Sequence, residues 1–383
     1  SLKATLEAFQ GSINSIPLIF IGKEAFTIDL CCLFFHNTES LNPTLVMTDK
    51  PMSEKKACCT PSQRQNAPAD GRVSQPQAAL APHTIAVEPA IDFANTGATK
   101  GMKLIEGGIF LMGTDYEEAW ATDGEGPVRE VTVKSFWIDS THVTNAQFAA
   151  FVEATNYKTE ADRFGWSFVF HNQLSKSKRR QLEVQQVQGL EWWHRIDGAS
   201  WRHPEGPGTS IKKRMDHPVV HVSWNDAINY SRWAGKRLPT EAEWEIAARG
   251  SLVQKIYAWG DELTPKGKHM CNIWQGEFPH KDTAADGFAG PCPVKAFPPN
   301  GFGLYGVSGN VWEWVNDWWS PSYHLSASRD NPKGPPFGDR KTMKGGSFLC
   351  HDSYCNRYRV AARTSNTPDS STINLGFRCA RDV

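Results

Sequence analysis

Cys350 and Cys355 are the residues of this chain whose type and spacing could do joint chemistry. They lie in the run Gly345-Gly346-Ser347-Phe348-Leu349-Cys350-His351-Asp352-Ser353-Tyr354-Cys355-Asn356-Arg357-Tyr358-Arg359. At that separation two side chains stand on opposite faces of a strand and far apart around a helix, so the thiols converge only if the backbone turns between them. His351-Asp352-Ser353 is suitable turn material. A turned cysteine pair has three readings: a structural disulfide, half of a zinc site, or a two-thiolate site for a soft ion such as Cu(I). Zinc would need two more ligands, and no second close Cys or His pair sits nearby in the sequence. Arg357 and Arg359 lower a thiol pKa if they face it and are solvated surface charges if they do not. Other reaction centres are absent: there is no phosphate-cradling glycine loop ending in Lys-Ser or Lys-Thr, no His-Glu-x-x-His helix and no Gly-x-Ser-x-Gly elbow.

The rest of the composition says what kind of body must hold the pair. The 383 residues carry 41 basic and 41 acidic side chains, so no net field favours nucleic acid or an anionic membrane. Forty per cent apolar residues can bury a sizeable core, while 15 Trp, 31 Gly and 24 Pro imply a loop-rich α+β fold pinned by large aromatics. Nine cysteines, an odd number scattered over a long chain, do not read as the disulfide framework of a small secreted domain.

Three regions follow. Residues 1–52 are of uncertain standing: Ile16 to Phe35 is apolar, but Lys23, Glu24 and Asp29 interrupt it, which is costly for a spanning helix and untidy for a signal peptide. Met47 and Met52 are both possible initiators, and the expectation is that this stretch includes translated upstream sequence. Residues 53–101, rich in Ala, Pro, Gln and Ser with few aromatics, read as a tail or linker. Patterned sequence occupies 102–383. Leu104 to Met112 predicts a strand broken at Gly107 and Gly108, and Val131, Val133, Phe136 and Ile138 continue in β spacing. Helices are predicted to open at Thr144, with Gln147 in capping-box position; after Ser223, with Ala227, Tyr230 and Ala234 as the apolar stripe; and at Thr240, with Glu243 as box partner. Beyond Ala248 no helical period is sustained, and a loop region that long is usually functional or fixed by ions and aromatic packing.

Cys350 to Arg359, taken with Asn366-Thr367-Pro368-Asp369-Ser370 and Asn374-Leu375-Gly376-Phe377-Arg378-Cys379, closely resembles the formylglycine-generating enzymes, or sulfatase-modifying factors. The resemblance extends through His217 to Trp224, Arg237 to Glu245, Asn272 to Gly276 and Gly309 to Trp314. The Arg-Leu-Pro-Thr-Glu-Ala-Glu-Trp-Glu and Gly-Asn-Val-Trp-Glu-Trp runs occur across a wider superfamily and indicate the fold, an irregular C-type-lectin-like α+β architecture with little regular secondary structure. The Cys-x4-Cys run marks the enzyme.

The resemblance implies a cytoplasmic, prokaryotic-type oxidase. It would use Cu(I), O2 and a reductant to convert the cysteine of a Cys-x-Pro-x-Arg motif, in an unfolded sulfatase segment, to Cα-formylglycine. Cys350 and Cys355 would hold copper, and Ser347 and Trp312 would line the pocket around it. Tyr354, Arg357 and Asn374 are candidates for the substrate groove. The family likeness also implies calcium, held at one site by Asn272, Ile273, Asp286 and Phe288 and at another by Gly309, Val311 and Glu313. Gly306 stands where relatives are expected to have Asn, which removes an oxygen from the second site. Cys379 aligns with a disulfide-bonded cysteine of secretory relatives, whose partner position here falls in Ala247-Ala248-Arg249-Gly250. A groove for a long unfolded segment is compatible with a monomer, and no membrane association is expected. Cys59-Thr60-Pro61-Ser62-Gln63-Arg64 imitates the target motif, with Gln63 displacing the arginine by one place. Such a segment either visits the groove as a poor substrate or weak inhibitor, or is a chance cysteine in a tail. Two rival functions remain: a non-catalytic lectin-like binding module, which would not need paired thiols, and an iron-dependent sulfoxide synthase, which usually adds a helical domain supplying histidines.

Overall fold

A computed structural model describes residues 60–62, 99–181 and 185–383. The expectations for residues 1–52 and most of the tail lie outside the described residues. In chain order the elements are β1 (Met102–Ile105), β2 (Gly108–Met112), β3 (Arg129–Val133), β4 (Phe136–Asp139), α1 (Asn145–Thr155), α2 (Glu160–Phe164), β5 (Trp166–Phe170) and α3 (Lys176–Gln181). Next come β6 (Gln186–Val187), β7 (Leu190–Asp197), α4 (Trp224–Trp233), α5 (Glu241–Arg249), β8 (Gly276–Glu277) and β9 (Lys281–Asp282). The last are β10 (Trp312–Trp318), β11 (Lys341–Lys344), β12 (Arg363–Asn366), β13 (Leu375–Phe377) and β14 (Ala380–Asp382). This is an α+β fold of short elements joined by long irregular connections. Among the described residues no helix is long and apolar enough to cross a membrane.

The three predicted helices form where their caps place them. Thr144, Ser223 and Thr240 each accept from the backbone N–H three residues on, and the residue there, Gln147, Asp226 or Glu243, returns a bond to the cap's own N–H. Each such cap is worth about 1 kcal/mol. Helix α1 buries Phe148, Phe151 and Val152, and its two phenylalanine rings pack against Tyr230 of α4. Helix α5 stops at Gly250, whose backbone is left-handed at φ 57°. A side chain there would stand 2.8 Å from the Gly301 backbone, so glycine both ends the helix and admits the neighbouring loop.

Two sheets hold the body together. In the first, β4 lies between β1 and β14, antiparallel to both, with Ile138 opposite Lys103 and Ala380. In the second, the order is β12-β11-β10-β13, with β10 antiparallel to β11 and parallel to β13. Alternation along β10 sends its residues into two cores. Trp312 and Trp314 enter a core with α1, α4, Cys350 and Cys355, whereas Val315 enters a core with α5 and the first sheet. A third core forms around β5 and β7 and takes in Trp274, Val311, Phe348, Leu349 and Ile373.

Residues 160–197 depart from the sequence expectation, which placed no elements there. The run Trp-Ser-Phe-Val-Phe of β5 is buried at every position, so it shows no in-out alternation to betray a strand.

Glu313, on β10, is fully buried with both carboxylate oxygens engaged. Arg378 donates from Nε to Oε2 and from Nη2 to Oε1, both at 2.7 Å, and Trp244 of α5 donates its indole N–H to Oε2 at 2.7 Å. His142 Nε2 stands 3.1 Å from Oε1. Burial disfavours the charge, but Arg378 and His142 outweigh it and hold the carboxyl at about 2. A carboxyl depressed from its ordinary range stabilises the fold above that range and loses the contribution as pH falls through the folded value. We therefore expect an acid limb of unfolding between about pH 4.5 and 2 to which Glu313 contributes about 3 kcal/mol. Glu313→Gln should cost about 3–5 kcal/mol at pH 7 by leaving Arg378 buried without its counter-charge, and should flatten that limb, as read by urea titration across pH.

Candidate active site

The Cys350–Cys355 run turns as its composition requires. Tyr354 and Cys355 both donate their backbone N–H to the His351 carbonyl, and Ser353 N–H is held by the Asp352 carboxylate at 2.6 Å. The turn brings the sulfurs to 3.2 Å, well beyond the roughly 2.05 Å of a disulfide bond. Both cysteines are 0% exposed. Upstream, Phe348 and Leu349 are anchored in the third core, while the thiols sit in the first, so the pair occupies the seam between two cores.

Ser347 and Trp312 stand at that seam. Ser347 Oγ accepts from Asn374 Nδ2 at 3.0 Å and from Leu349 N–H at 3.3 Å, and its carbonyl accepts from Cys350 N–H at 2.9 Å. Since the hydroxyl oxygen is the acceptor in both bonds, its own proton remains uncommitted. Trp312 is 0% exposed, and its indole N–H has no partner among the described residues. Ser347 thus offers a donor in the turn that carries Cys350, and Trp312 offers one in the core that the pair shares.

Asn374 is placed as a positioning residue. Its Nδ2 fixes Ser347, its Oδ1 accepts from Thr372 Oγ1 at 2.7 Å, and its carbonyl accepts from Trp312 N–H at 2.8 Å. Tyr354, partly exposed, stacks on Phe278 at 4.7 Å and meets Trp192 edge-on at 5.4 Å. Sequence reasoning missed both of those rings. The β8–β9 hairpin presents Phe278, and β7 presents Trp192. A surface depression lined by His269, Gln275, His351 and Tyr358 adjoins the turn.

Arg357 and Arg359 are buried, which removes the surface-charge alternative. Arg357 Nε donates to Asp123 Oδ2 at 2.6 Å and its guanidinium covers the Trp120 ring at 3.9 Å. Arg359 forms a two-pronged pair with Glu125, Nη2 to Oε1 at 2.9 Å. Asp123 and Glu125 escaped the sequence reading because they lie 234 residues away. The available signal was spacing: two acids and two arginines, each pair separated by one residue. These pairs clamp the 120–125 loop onto the cysteine turn, and Arg357 acts in that clamp.

The donor set can be tested against the metals that the sequence suggests. Among the described residues no group of three or more His, Cys, Asp or Glu side chains could share an ion. Zinc's four-ligand demand is therefore unmet, whereas two converging soft thiols fit a low-coordinate soft ion. For calcium the first set fits. Asn272 Oδ1 is buried without a partner among the described residues, and Asp286 spends one lone pair of each oxygen on the N–H groups of Ile273 and Phe288, leaving acceptor capacity on both. The second set does not fit. Glu313 is fully engaged by Arg378, Trp244 and His142, and the His142 ring fills the space beside Gly306, where an added side chain would come within 2.8 Å of it.

Comparison with known proteins agrees with this geometry. Residues 88–383 match the model of the sulfatase-modifying factor enzyme 1-like domain. The chain is 59% identical over 286 residues to the formylglycine-generating enzyme of Thermomonospora curvata, covering 74% of this chain and 94% of that one. It is 54% identical over 306 residues to the formylglycine-generating enzyme of Streptomyces coelicolor, covering 80% and 97%. Among solved structures, PvdO from Pseudomonas aeruginosa superposes with a TM-score of 0.53 at 24% identity, covering 74% of this chain and 94% of that one, and shows the shared fold. With relatives of this identity and coverage, the buried thiol pair on its irregular α+β scaffold belongs to an oxidoreductase. The chain belongs to the formylglycine-generating enzyme (sulfatase-modifying factor) family.

The clamp gives a direct test. Asp123→Asn removes a charge-assisted hydrogen bond worth about 1.5–3 kcal/mol. It should raise the alkylation rate of Cys350 and Cys355 on the order of tenfold or more, as measured by peptide mass spectrometry after timed labelling.

Proposed function

We propose that this enzyme converts the cysteine of a Cys-x-Pro-x-Arg motif in an unfolded sulfatase segment to Cα-formylglycine, using copper, O2 and a reductant. The single observation that carries the reading is the buried, converging pair Cys350 and Cys355 with sulfurs at 3.2 Å. Net, the peptidyl cysteine thiol, O2 and two reducing hydrogens give the peptidyl aldehyde, hydrogen sulfide and water. The C–S bond breaks, a Cβ–H bond is lost, and O2 is the oxidant.

Cys350 and Cys355 would hold copper as Cu(I), which when bound supplies a soft centre for the substrate thiol and the one-electron chemistry that O2 requires. The chain's own part is positioning and exclusion. The turn at His351 presents both sulfurs to one side, and the Asp123 and Glu125 clamp keeps it turned. Trp312, Tyr358 and Leu375 belong to the same buried core as the pair, and that apolar setting would exclude water and raise the strength of any polar contact made there. The uncommitted hydroxyl of Ser347 and indole N–H of Trp312 would donate to negative charge developing on oxygen beside the pair. Phe278, Trp192 and Tyr354 form an aromatic wall for the peptide. Asn272, Asp286 and the carbonyls of Ile273 and Phe288 would hold one structural calcium ion. The cytosolic assignment rests on Cys379, a buried free thiol beside Asp139.

Aerobic incubation with Cu(I), a thiol reductant and a Cys-x-Pro-x-Arg peptide should give the mass change of thiol-to-aldehyde conversion. Unchanged peptide mass would sink the proposal. Cys350→Ser or Cys355→Ser should lower kcat/KM by at least about a hundredfold, the loss that removing even an outer partner of a metal site can reach. Ser347→Ala should lower kcat by about 10–100-fold with little change in KM. Calcium at about a hundred times its Kd should stabilise the fold by about 2.7 kcal/mol; the rise in Tm should vanish in Asn272→Ala and persist in Glu313→Gln.

A further inference from the structure

Three residues of the low-complexity tail are built into the catalytic body. Thr60, Pro61 and Ser62 are all buried, Thr60 and Ser62 at 4% exposure each. Asn366 Nδ2, at the end of β12, donates to the Pro61 carbonyl at 3.0 Å, and Ser62 Oγ lies 3.2 Å from Thr367 Oγ1. The receiving strip is itself organised for this. Thr367 N–H is held by Asn366 Oδ1 at 2.8 Å, which aims the Asn366 amide, and the Thr367 hydroxyl is shared with Asp369 and Ser370. Proline suits such a strip: it has no N–H to leave unpaired, and its one backbone acceptor is satisfied. A polar tail with few aromatics gains little by collapsing on apolar surface, so complementary hydrogen bonds and an extended shape are what seat it.

A relay of hydrogen bonds links the strip to the segment that carries Cys350. From Thr367 the chain passes Ser371, whose carbonyl and hydroxyl meet Ser167, then Thr372, which donates to Asn374, which in turn holds Ser347 beside Cys350. Ser167 is also bonded to buried His221 at 2.7 Å, so the strip is pinned from β5 as well. Immediately before Thr60 the sequence has Cys59, so Cys59-Thr60-Pro61-Ser62 reproduces Cys-x-Pro-x, and Gln63 stands where arginine would complete the motif.

We propose that Asn366, Thr367 and the adjoining strip form the docking surface for the Pro-centred part of an extended substrate peptide, and that Thr60-Pro61-Ser62 occupies it as a tethered competitor. This rests on the proposed substrate motif. The competitor is weak because its arginine is displaced, yet it is always present, since a tether supplies a high effective concentration of a poor ligand. An incoming peptide must displace it, which raises the apparent Kd for clients and favours those with a full motif.

The test measures binding of a fluorescent Cys-x-Pro-x-Arg peptide to the copper-free full-length chain, so that turnover cannot confuse it. Ser62→Asp, which places a charge against Thr367 and Asp369, should undock the segment and tighten peptide binding on the order of threefold or more. Gln63→Arg, which completes the internal motif, should weaken it by a similar factor. Equal Kd for wild type and both variants overturns the competition while leaving the proposed reaction standing. If the peptide binds none of the three chains and is not turned over, the proposed substrate falls with it. Docking is then decided by hydrogen exchange: fast exchange at Thr60 and Ser62 in the wild-type chain overturns it, and protection lost in Ser62→Asp supports it.

Discussion

The buried pair of Glu313 and Arg378 is the constraint from which the catalytic region takes its shape. Each charge alone would be ruinous in a dry interior, so the two are obliged to meet, and the geometry that satisfies both is narrow. Glu313 belongs to β10 and Arg378 follows β13, so their meeting enforces the parallel register in which Trp312 faces Leu375. Trp312 N–H then reaches the Asn374 carbonyl, and Asn374 reaches Ser347. Trp244 and His142 complete the knot, tying α5 and the loop after β4 to the same carboxylate. The carboxylate that a second calcium set would need is held here by Arg378 and Trp244.

Around that knot the cysteine turn is assembled from parts that contribute little locally. Its inward residues belong to two different cores, and its exit is fastened by two buried ion pairs to a loop far away in sequence. The arrangement separates tasks. Arg357 and Arg359, the nearest strong cations in sequence to the thiols, are each met by a carboxylate, so they hold the backbone without leaving unbalanced cations in the seam.

What the sequence reveals and conceals follows from the range of the interactions. The helices after Thr144 and Thr240 are legible because a cap and its box partner are three residues apart, and the one after Ser223 because its apolar stripe recurs at helical spacing. The convergence of Cys350 and Cys355 is legible for the same reason: a five-residue spacing and turn-forming residues are local facts. Strand β5 is not, since a strand buried on both faces lacks the alternation that exposes a half-buried one. Asp123, Glu125 and the internal partners of Glu313 are concealed because charges that pair across the fold look, in sequence, like any surface charge. Cys59-Thr60-Pro61-Ser62 is an intermediate case, where a motif was visible and its seat on Asn366 was not.

The position of β14 has a consequence for how the protein is made. This strand pairs with β4 near the start of the domain, and Arg378, just before it, completes the knot on Glu313. A ribosome releases the chain from the front, so β1, β4 and α1 emerge long before the residues that close their sheet and balance their charges. The knot on Glu313 therefore cannot close until Arg378 has itself left the ribosome. Until then, the nascent chain must keep an open edge on β4 and a Glu313 that lacks its guanidinium partner, so the last strand and the arginine before it are what complete a body begun long before.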